Sequence, residues 1–321
     1  MAENDPVLTA KLLRFQQPEK AQGYLGELPD ARIAALLGLD TDAYRAHLRA
    51  FDEQARETAA GLLKDPGFAD RVARLPFRPG QRVVAIGEST TADRLSWFAV
   101  LRHLLPESVR LVNLAVSGLT TSQALAQLPP PTLPRPDWVL CMLGANDARR
   151  TGRTPGTPGI RLVSAAETER NLRALHALAA PETAGRWIWL TPSGVDQDRA
   201  DAYPHFRRAG IGWSAEDIDA LAAFLLDRPE PTVDTRRATA GLHLDDGIHL
   251  TPEGQQAIAV ALVDLLADAP DTTPAERAKP TEPTDRAEQA EQAEQAERAD
   301  RGDRGDRGDR GGPSLPRTVT S

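Results

Sequence analysis

Between residues 82 and 267, short apolar runs alternate with segments whose apolar residues recur every three or four positions. The runs predict strands at 82–86, 109–114, 138–143, 186–190 and, more briefly, 232–234. The periodic segments predict helices at 92–105, 164–179, 214–227 and 251–267. Thr251 suits the N-cap of the last helix and Pro252 its first position. Strands that alternate with helices predict an α/β domain, residues 81–269, with a parallel sheet covered on both faces.

Residues 1–80 have a different pattern, which predicts a helical N-terminal extension. A short apolar-rich helix is expected at 30–39, and Thr41 or Asp42 is suited to cap the next one. The apolar residues of that next helix lie at near-helical spacing: Tyr44, Leu48, Phe51, Ala55 and Leu62. Pro76, Pro79 and Gly80 end the region.

Residues 270–321 contain almost no large apolar side chains and are rich in AEQ and RGD repeats. Such a segment buries too little apolar surface to offset the entropy of ordering, so we expect a disordered tail. The RGD triplets are compatible with integrin binding, or with a tail that recruits a partner. A solvated low-complexity tail is favoured, because the N-terminal residues lack the cations and apolar run of an export signal.

Composition narrows the function further. With 38 basic and 46 acidic residues, the net charge is −8, which argues against a nucleic-acid partner. No apolar stretch approaches the ~20 residues that span a bilayer. The single cysteine, Cys141, excludes an internal disulfide framework. We therefore expect a cytoplasmic protein with no membrane span, and the sequence identifies no protein partner.

Polar and small residues follow the predicted strands. Glu88 and Ser89 follow the first strand, and Gly118 follows the second. The block GAND, residues 144–147, follows the third, and DGIH, residues 246–249, precedes the last helix. In parallel α/β sheets, ligands bind at the carboxyl ends of the strands. The sequence therefore predicts a site at that edge of the sheet.

These four blocks resemble those of the SGNH hydrolases, also called GDSL esterases and lipases. The residues that give the family its name correspond to Ser89, Gly118, Asn146 and His249, and the resemblance covers about residues 82–268. It implies a three-layer α/β/α sandwich similar to flavodoxin, and hydrolysis of a small acetyl or other acyl ester. One residue departs from the family pattern: Glu88 stands where the first block usually has Asp.

The chemistry of acyl transfer fits these residues. A serine hydroxyl needs a base, for which His249 is suited, and Asp246 can hold the imidazole, with Asp245 as the other candidate. The resemblance implies an oxyanion hole made of the backbone N–H groups of Ser89 and Gly118 and the Asn146 side-chain amide. No metal or organic cofactor is expected.

Other interpretations remain open at this point. An acyltransferase on the same scaffold would use the same residues, and a non-catalytic binding module would retain the fold. The run HLDDGIH also has the residue types of a metal cluster, although its spacing matches no usual zinc pattern. Arg149 and Arg150 could meet a substrate anion or be surface charges. The irregular stretch 192–213, which includes His205, could overhang the site.

Overall fold

The computed structural model describes residues 6–21, 28–127, 136–179 and 186–268. Five parallel strands form one sheet, in the order β2-β1-β3-β6-β7. Its strands are β1 Arg82–Gly87, β2 Arg110–Asn113, β3 Trp138–Met142, β6 Trp187–Leu190 and β7 Thr232–Val233; a separate antiparallel pair consists of β4 Arg150–Thr151 and β5 Ile160–Arg161. Counting only the strands of the large sheet, this is the 2-1-3-4-5 order of flavodoxin-like folds.

The sheet is buried on both faces because helices pack against each of them, and alternate residues of its strands point to opposite sides. On one face, Val83 and Ala85 of β1 belong to a core shared with Trp97, Phe98 and the last helix. On the other face, Val84 and Ile86 belong to a second core. The predicted three-layer α/β/α fold with N-terminal helices is therefore confirmed.

Helices fill both outer layers and the N-terminal region. Five precede the sheet: α1 Pro6–Phe15, α2 Pro18–Ala21, α3 Asp30–Leu36, α4 Thr41–Leu62 and α5 Pro66–Ala73. The others are α6 Ser89–Ala92, α7 Trp97–Leu104, α8 Thr121–Gln127, α9 Ala145–Ala148, α10 Ala165–Ala179, α11 Gln197–Ala202, α12 Pro204–Ala209, α13 Ala215–Leu226, α14 Thr235–Ala238 and α15 Pro252–Ala267. As predicted, Thr251 caps α15, accepting from the Gly254 N–H at 3.2 Å.

The N-terminal helices pack directly on the sheet domain. Ala59 of α4 and Phe68 of α5 belong to the core that covers one sheet face. Leu13, Ile33 and Tyr44 form a smaller core that joins α1, α3 and α4. The described residues all lie in one compact unit that ends at Asp271. The predicted disordered tail, residues 270–321, lies outside the described residues, and the domain boundary at residue 80 stays a prediction.

Three local predictions were wrong. The expected helix at 92–105 begins only at Trp97, as α7: the short α6 ends at Ala92, the chain turns at Asp93, and Ser96 caps α7 through the Ala99 N–H. The cap of α4 is Asp40, which accepts from the Ala43 N–H at 2.7 Å, and neither Thr41 nor Asp42. The stretch 192–213 is not irregular throughout, since it contains α11 and α12.

Candidate active site

Loops at the carboxyl edge of the sheet bring all five predicted site residues to one pocket of about 480 Å³. Ser89 is the first residue of α6, directly after β1, and Asn146 lies in α9, directly after β3. Gly118 follows β2, where its φ of +83° is a conformation that favours glycine. Asp246 and His249 precede α15. The pocket thus lies where the strand order reverses, between β1 and β3.

Asp246 holds His249 by both side-chain and backbone contacts. The Asp246 Oδ2 atom lies 2.9 Å from His249 Nδ1, and Oδ1 accepts from the backbone N–H groups of Ile248 and His249 at 3.0 and 2.8 Å. Burial alone would raise the pKa of Asp246, but these hydrogen bonds and the His249 charge lower it to about 2. Asp245, the other candidate, is exposed. The aspartate at 246 is therefore an ionised partner for the imidazole.

Ser89 shares the pocket with this pair. No hydrogen bond joins its hydroxyl to His249 among the residues that the structure describes. In the absence of substrate, the contact between a nucleophile and its base is often longer than a hydrogen bond. The arrangement therefore supplies a hydroxyl, an imidazole and a carboxylate in one cavity, with the imidazole already oriented.

Glu88 connects the ends of β1 and β3. Its buried carboxylate accepts from the backbone N–H groups of Ala145 and Asn146, both at 2.9 Å, and from Asn146 Nδ2 at 2.6 Å. Asn146 Nδ2 also donates to the Leu119 carbonyl at 3.3 Å. The Asn146 side-chain amide thus donates to two acceptors, Glu88 and the Leu119 carbonyl. An oxyanion in the pocket would share an N–H group with one of these acceptors. The extra methylene of Glu88 extends the carboxylate toward Asn146.

The buried position of Glu88 shifts the pKa of its side chain. Burial and the nearby charge of Asp147 raise its pKa to about 8, against the lowering effect of its three N–H donors. Asp147 itself is buried and accepts from the Thr121 N–H at 2.9 Å and from the Thr168 hydroxyl at 3.2 Å. Burial also raises the pKa of Asp147. The aspartate of GAND therefore ties together the loops around the site and does not face substrate.

Helix α1 forms one wall of the pocket, which sequence analysis did not predict. The ring of Phe15 packs against the ring of His249, and Lys11 Nζ lies 3.7 Å from Asp246 Oδ2. Lys11 Nζ also lies 3.3 Å from the Tyr203 hydroxyl. Hydrophobic periodicity shows that a helix has an apolar face, but not where that face packs.

A buried ion pair holds α1 in place. Arg14 donates to both carboxylate oxygens of Asp93, at 2.8 and 2.6 Å, and to the Leu250 carbonyl at 2.9 Å. Asp93 also accepts from Gln255 of α15 at 3.0 Å. A bidentate pair of this kind fixes orientation as well as distance, because two parallel bonds leave little freedom. The N-terminal wall is therefore tied to the loop that carries Ser89.

The remaining walls are largely apolar and come from residues 192–213. Val195, Tyr203, Phe206, Ile211 and Trp213 all line the cavity. Trp213 Nε1 donates to the Ala145 carbonyl at 2.9 Å, which attaches this segment to α9. His205 lines the cavity as well. The stretch that could overhang the site thus contributes to the pocket, through α12 and the residues around it.

Two further features concern possible metal ligands and helices that could span a membrane. Within residues 6–21, 28–127, 136–179 and 186–268, no three His, Cys, Asp or Glu side chains are grouped so that they could hold a metal ion. In HLDDGIH, His243 Nε2 lies 2.8 Å from the Gly194 carbonyl, and His249 contacts Asp246. None of the described helices combines the length and apolar character needed to cross a membrane.

Several solved structures are similar to this chain, at low sequence identity. The lipase/acylhydrolase from Enterococcus faecalis is 20% identical, with 60% of this chain and 100% of that chain covered and a TM-score of 0.44. The M. smegmatis aryl esterase is 19% identical, and the match covers 57% of this chain and 97% of that chain, with a TM-score of 0.42. Est24, a carbohydrate acetylesterase from Sinorhizobium meliloti, is 18% identical, and the match covers 58% of this chain and 98% of that chain, with a TM-score of 0.45. No curated protein matches the sequence.

The family assignment comes from the sequence itself. The sequence model of the GDSL-like lipase/acylhydrolase family matches residues 85–257, which is more than half of the chain. The matched range contains Ser89, Gly118, Asn146, Asp246 and His249 and leaves out the N-terminal helices. The chain therefore belongs to the GDSL-like lipase/acylhydrolase (SGNH) family and is a carboxylic ester hydrolase of the esterase type.

Proposed function

We propose that the protein hydrolyses a small carboxylic ester through an acyl-enzyme intermediate on Ser89. The observation that carries the proposal is the Asp246–His249 pair, with Nδ1 and Oδ2 2.9 Å apart, in the pocket that Ser89 also lines. With Nδ1 engaged, Nε2 is the nitrogen available to take a proton. A cavity of about 480 Å³, closed on one side by α1, suits a small ester.

In the first half-reaction, the Ser89 oxygen attacks the ester carbonyl carbon while His249 Nε2 takes the hydroxyl proton. The tetrahedral intermediate collapses, and the alcohol leaves with the proton from His249. Water then attacks the acyl-enzyme, with His249 as base, and releases the acid and free Ser89. Asp246 stabilises the imidazolium in both halves. Each step uses side chains and water, so the proposed mechanism requires no cofactor.

The developing oxyanion has three proposed donors: the backbone N–H groups of Ser89 and Gly118, and the Asn146 side chain. Loss of one donor of this kind costs about 3–4 kcal/mol of transition-state stabilisation. Glu88 and Leu119 hold the Asn146 amide in place before substrate binds. Preorganised donors of this type stabilise the transition state without reorganising during the reaction.

The test uses purified full-length protein, wild type and Ser89→Ala. A fluorophosphonate probe reports the activated serine, and p-nitrophenyl esters from acetate to palmitate report turnover and chain length. We expect labelling and turnover that depend on Ser89, with the shorter esters preferred. Turnover that Ser89→Ala leaves unchanged would overturn the proposal.

Acyl transfer to an alcohol would share the first half-reaction and differ only in the acceptor. Analysis of products formed from p-nitrophenyl acetate with added short alcohols separates the two activities. Hydrolysis gives acetate as the main product, whereas transfer gives the new acetyl ester. A new ester as the main product in aqueous buffer would contradict hydrolysis as the main activity.

A further inference from the structure

Arg149 lines the active-site pocket, and no described residue forms an ion pair with its guanidinium. Its Nε atom is buried and has no hydrogen-bond partner in the described parts of the chain. The adjacent Arg150 differs, because its guanidinium pairs with Asp217 at 2.7 Å and lies outside the pocket lining. Two neighbouring arginines of the same loop thus have different surroundings, and only Arg149 faces the cavity.

The other Lys, Asp and Glu side chains that line the pocket all have partners. Asp246 contacts His249 and Lys11, and Lys11 also contacts the Tyr203 hydroxyl. Glu88 is occupied by N–H donors of α9. Arg149 is therefore the pocket's surplus positive charge among the described residues. Because the guanidinium is held by no carboxylate of the described residues, it is available to pair with an anionic group of a ligand.

The position of Arg149 places this charge near the reacting centre. Arg149 is the C-cap residue of α9, and its backbone N–H donates to the Asn146 carbonyl at 3.3 Å. Arg149, Asn146 and Ser89 line the same cavity, so a ligand paired with the guanidinium lies in the cavity that contains the proposed nucleophile.

We propose that Arg149 forms a subsite for a carboxylate, so that the preferred substrate is an ester that carries an anionic group. This inference rests on the proposed function and names its substrate class. Guanidinium recognises carboxylate in a bidentate geometry, which gives orientation as well as affinity. The carboxylate belongs to either the acyl or the alcohol part of the ester, and paired substrates distinguish the two.

The experiment compares matched neutral and anionic esters in the full-length protein. For the alcohol side, the pair is 4-acetoxybenzoate and its methyl ester. For the acyl side, the pair is mono-4-nitrophenyl adipate and 4-nitrophenyl methyl adipate. The measured quantity is the ratio of kcat/KM for the anionic ester to that for its neutral partner, in wild type, Arg149→Gln and Arg149→Lys.

We expect Arg149→Gln to lower this ratio about tenfold or more for one pair, since charged hydrogen bonds are the stronger ones. Arg149→Lys should recover part of the loss, because it keeps the charge but not the bidentate geometry. The control is Arg56→Gln on α4, the same substitution at an exposed ion pair outside the pocket. It should leave both ratios unchanged.

Two results would contradict different parts of the proposal. A ratio that Arg149→Gln leaves unchanged for both pairs, while the neutral esters still turn over in a Ser89-dependent manner, overturns the carboxylate subsite alone. Absence of Ser89-dependent turnover of every ester overturns the proposed function and the subsite that depends on it. Circular dichroism of each variant confirms that a lower ratio does not reflect unfolding.

Discussion

The rings of Phe15 and His249 are in contact, with 4.6 Å between their centroids, although 234 residues separate them in the sequence. One face of the imidazole proposed as the base is therefore covered by a side chain from α1. The family match begins only at residue 85, so this cover comes from outside the matched range. The N-terminal helices thus contribute to the pocket as well as to the fold.

Replacing Phe15 with alanine should widen the pocket next to His249. The buried ring occupies space that a longer acyl chain would use. We expect the ratio of kcat/KM for p-nitrophenyl octanoate to that for the acetate to rise at least about threefold. The control is Leu36→Ala on α3, where the side chain is 68% exposed and lies outside the pocket lining. An unchanged ratio in Phe15→Ala would show that α1 does not limit chain length.

Asp246→Asn should lower kcat roughly a thousandfold or more, because an amide neither fixes the productive tautomer nor stabilises the imidazolium. Asp245→Asn is the matched control, the same substitution at the adjacent exposed aspartate. Turnover of p-nitrophenyl acetate measures both. A loss of less than tenfold in Asp246→Asn would exclude Asp246 as the residue that orients His249.

The pKa of Asp246 also predicts a change in acid stability. Its value of about 2 lies below the ~3.9 of an unfolded aspartate, so ionisation of this group stabilises the fold above pH 4. That stabilisation is lost as the pH falls from 4 through 2. We expect the difference in unfolding free energy between wild type and Asp246→Asn to shrink over this range, by roughly 2 kcal/mol. Urea denaturation at several pH values measures it, and a constant difference would contradict the assignment.

The raised pKa of Glu88 predicts that the stability of the fold changes with pH in the opposite direction, and at higher pH, than Asp246 predicts. Its pKa of about 8 lies above that of an unfolded glutamate, so from about pH 4.5 to pH 8 the unfolded state loses a proton that the folded state keeps. The folded state therefore loses stability as the pH rises, by up to ~1.4 kcal/mol per pH unit. Glu88→Gln has no proton to lose, and its stability relative to wild type should rise across this window. Parallel curves for the two proteins would contradict the shifted pKa.

Two glycines provide a matched pair of tests for steric constraint. A Cβ at Gly87 would lie 2.6 Å from Thr91 Oγ1 and 2.9 Å from the Met142 carbonyl, so Gly87→Ala must displace either the α6 turn or β3. We expect a loss of about 1–3 kcal/mol in unfolding free energy. Gly61 of α4 has no atom within 4 Å of its added Cβ, so Gly61→Ala should stabilise by about 0.5–1 kcal/mol. The same direction of change in both variants would refute this steric interpretation.

The sheet and the clustering of site residues could be predicted because both depend on local pattern. A run such as 138–143 is long enough to indicate a buried strand, and parallel topology then brings Ser89, Asn146 and His249 to one edge. The position of α1 could not be predicted, because it depends on the pairing of Arg14 with Asp93, 79 residues away. The contact from Glu88 to Asn146 was missed for a similar reason, since it depends on how far apart two neighbouring strand ends lie.

The ion pair between Arg14 and Asp93 has a practical consequence for anyone who shortens this chain. A fragment trimmed to the sheet domain, residues 81–269, would retain every residue proposed for catalysis. It would lose Arg14, however, and with it the cation that pairs with Asp93 in the full chain. It would also expose the imidazole face that Phe15 covers. Activity measured on such a fragment would therefore describe a wider and wetter cavity than the one the full chain presents to its substrate.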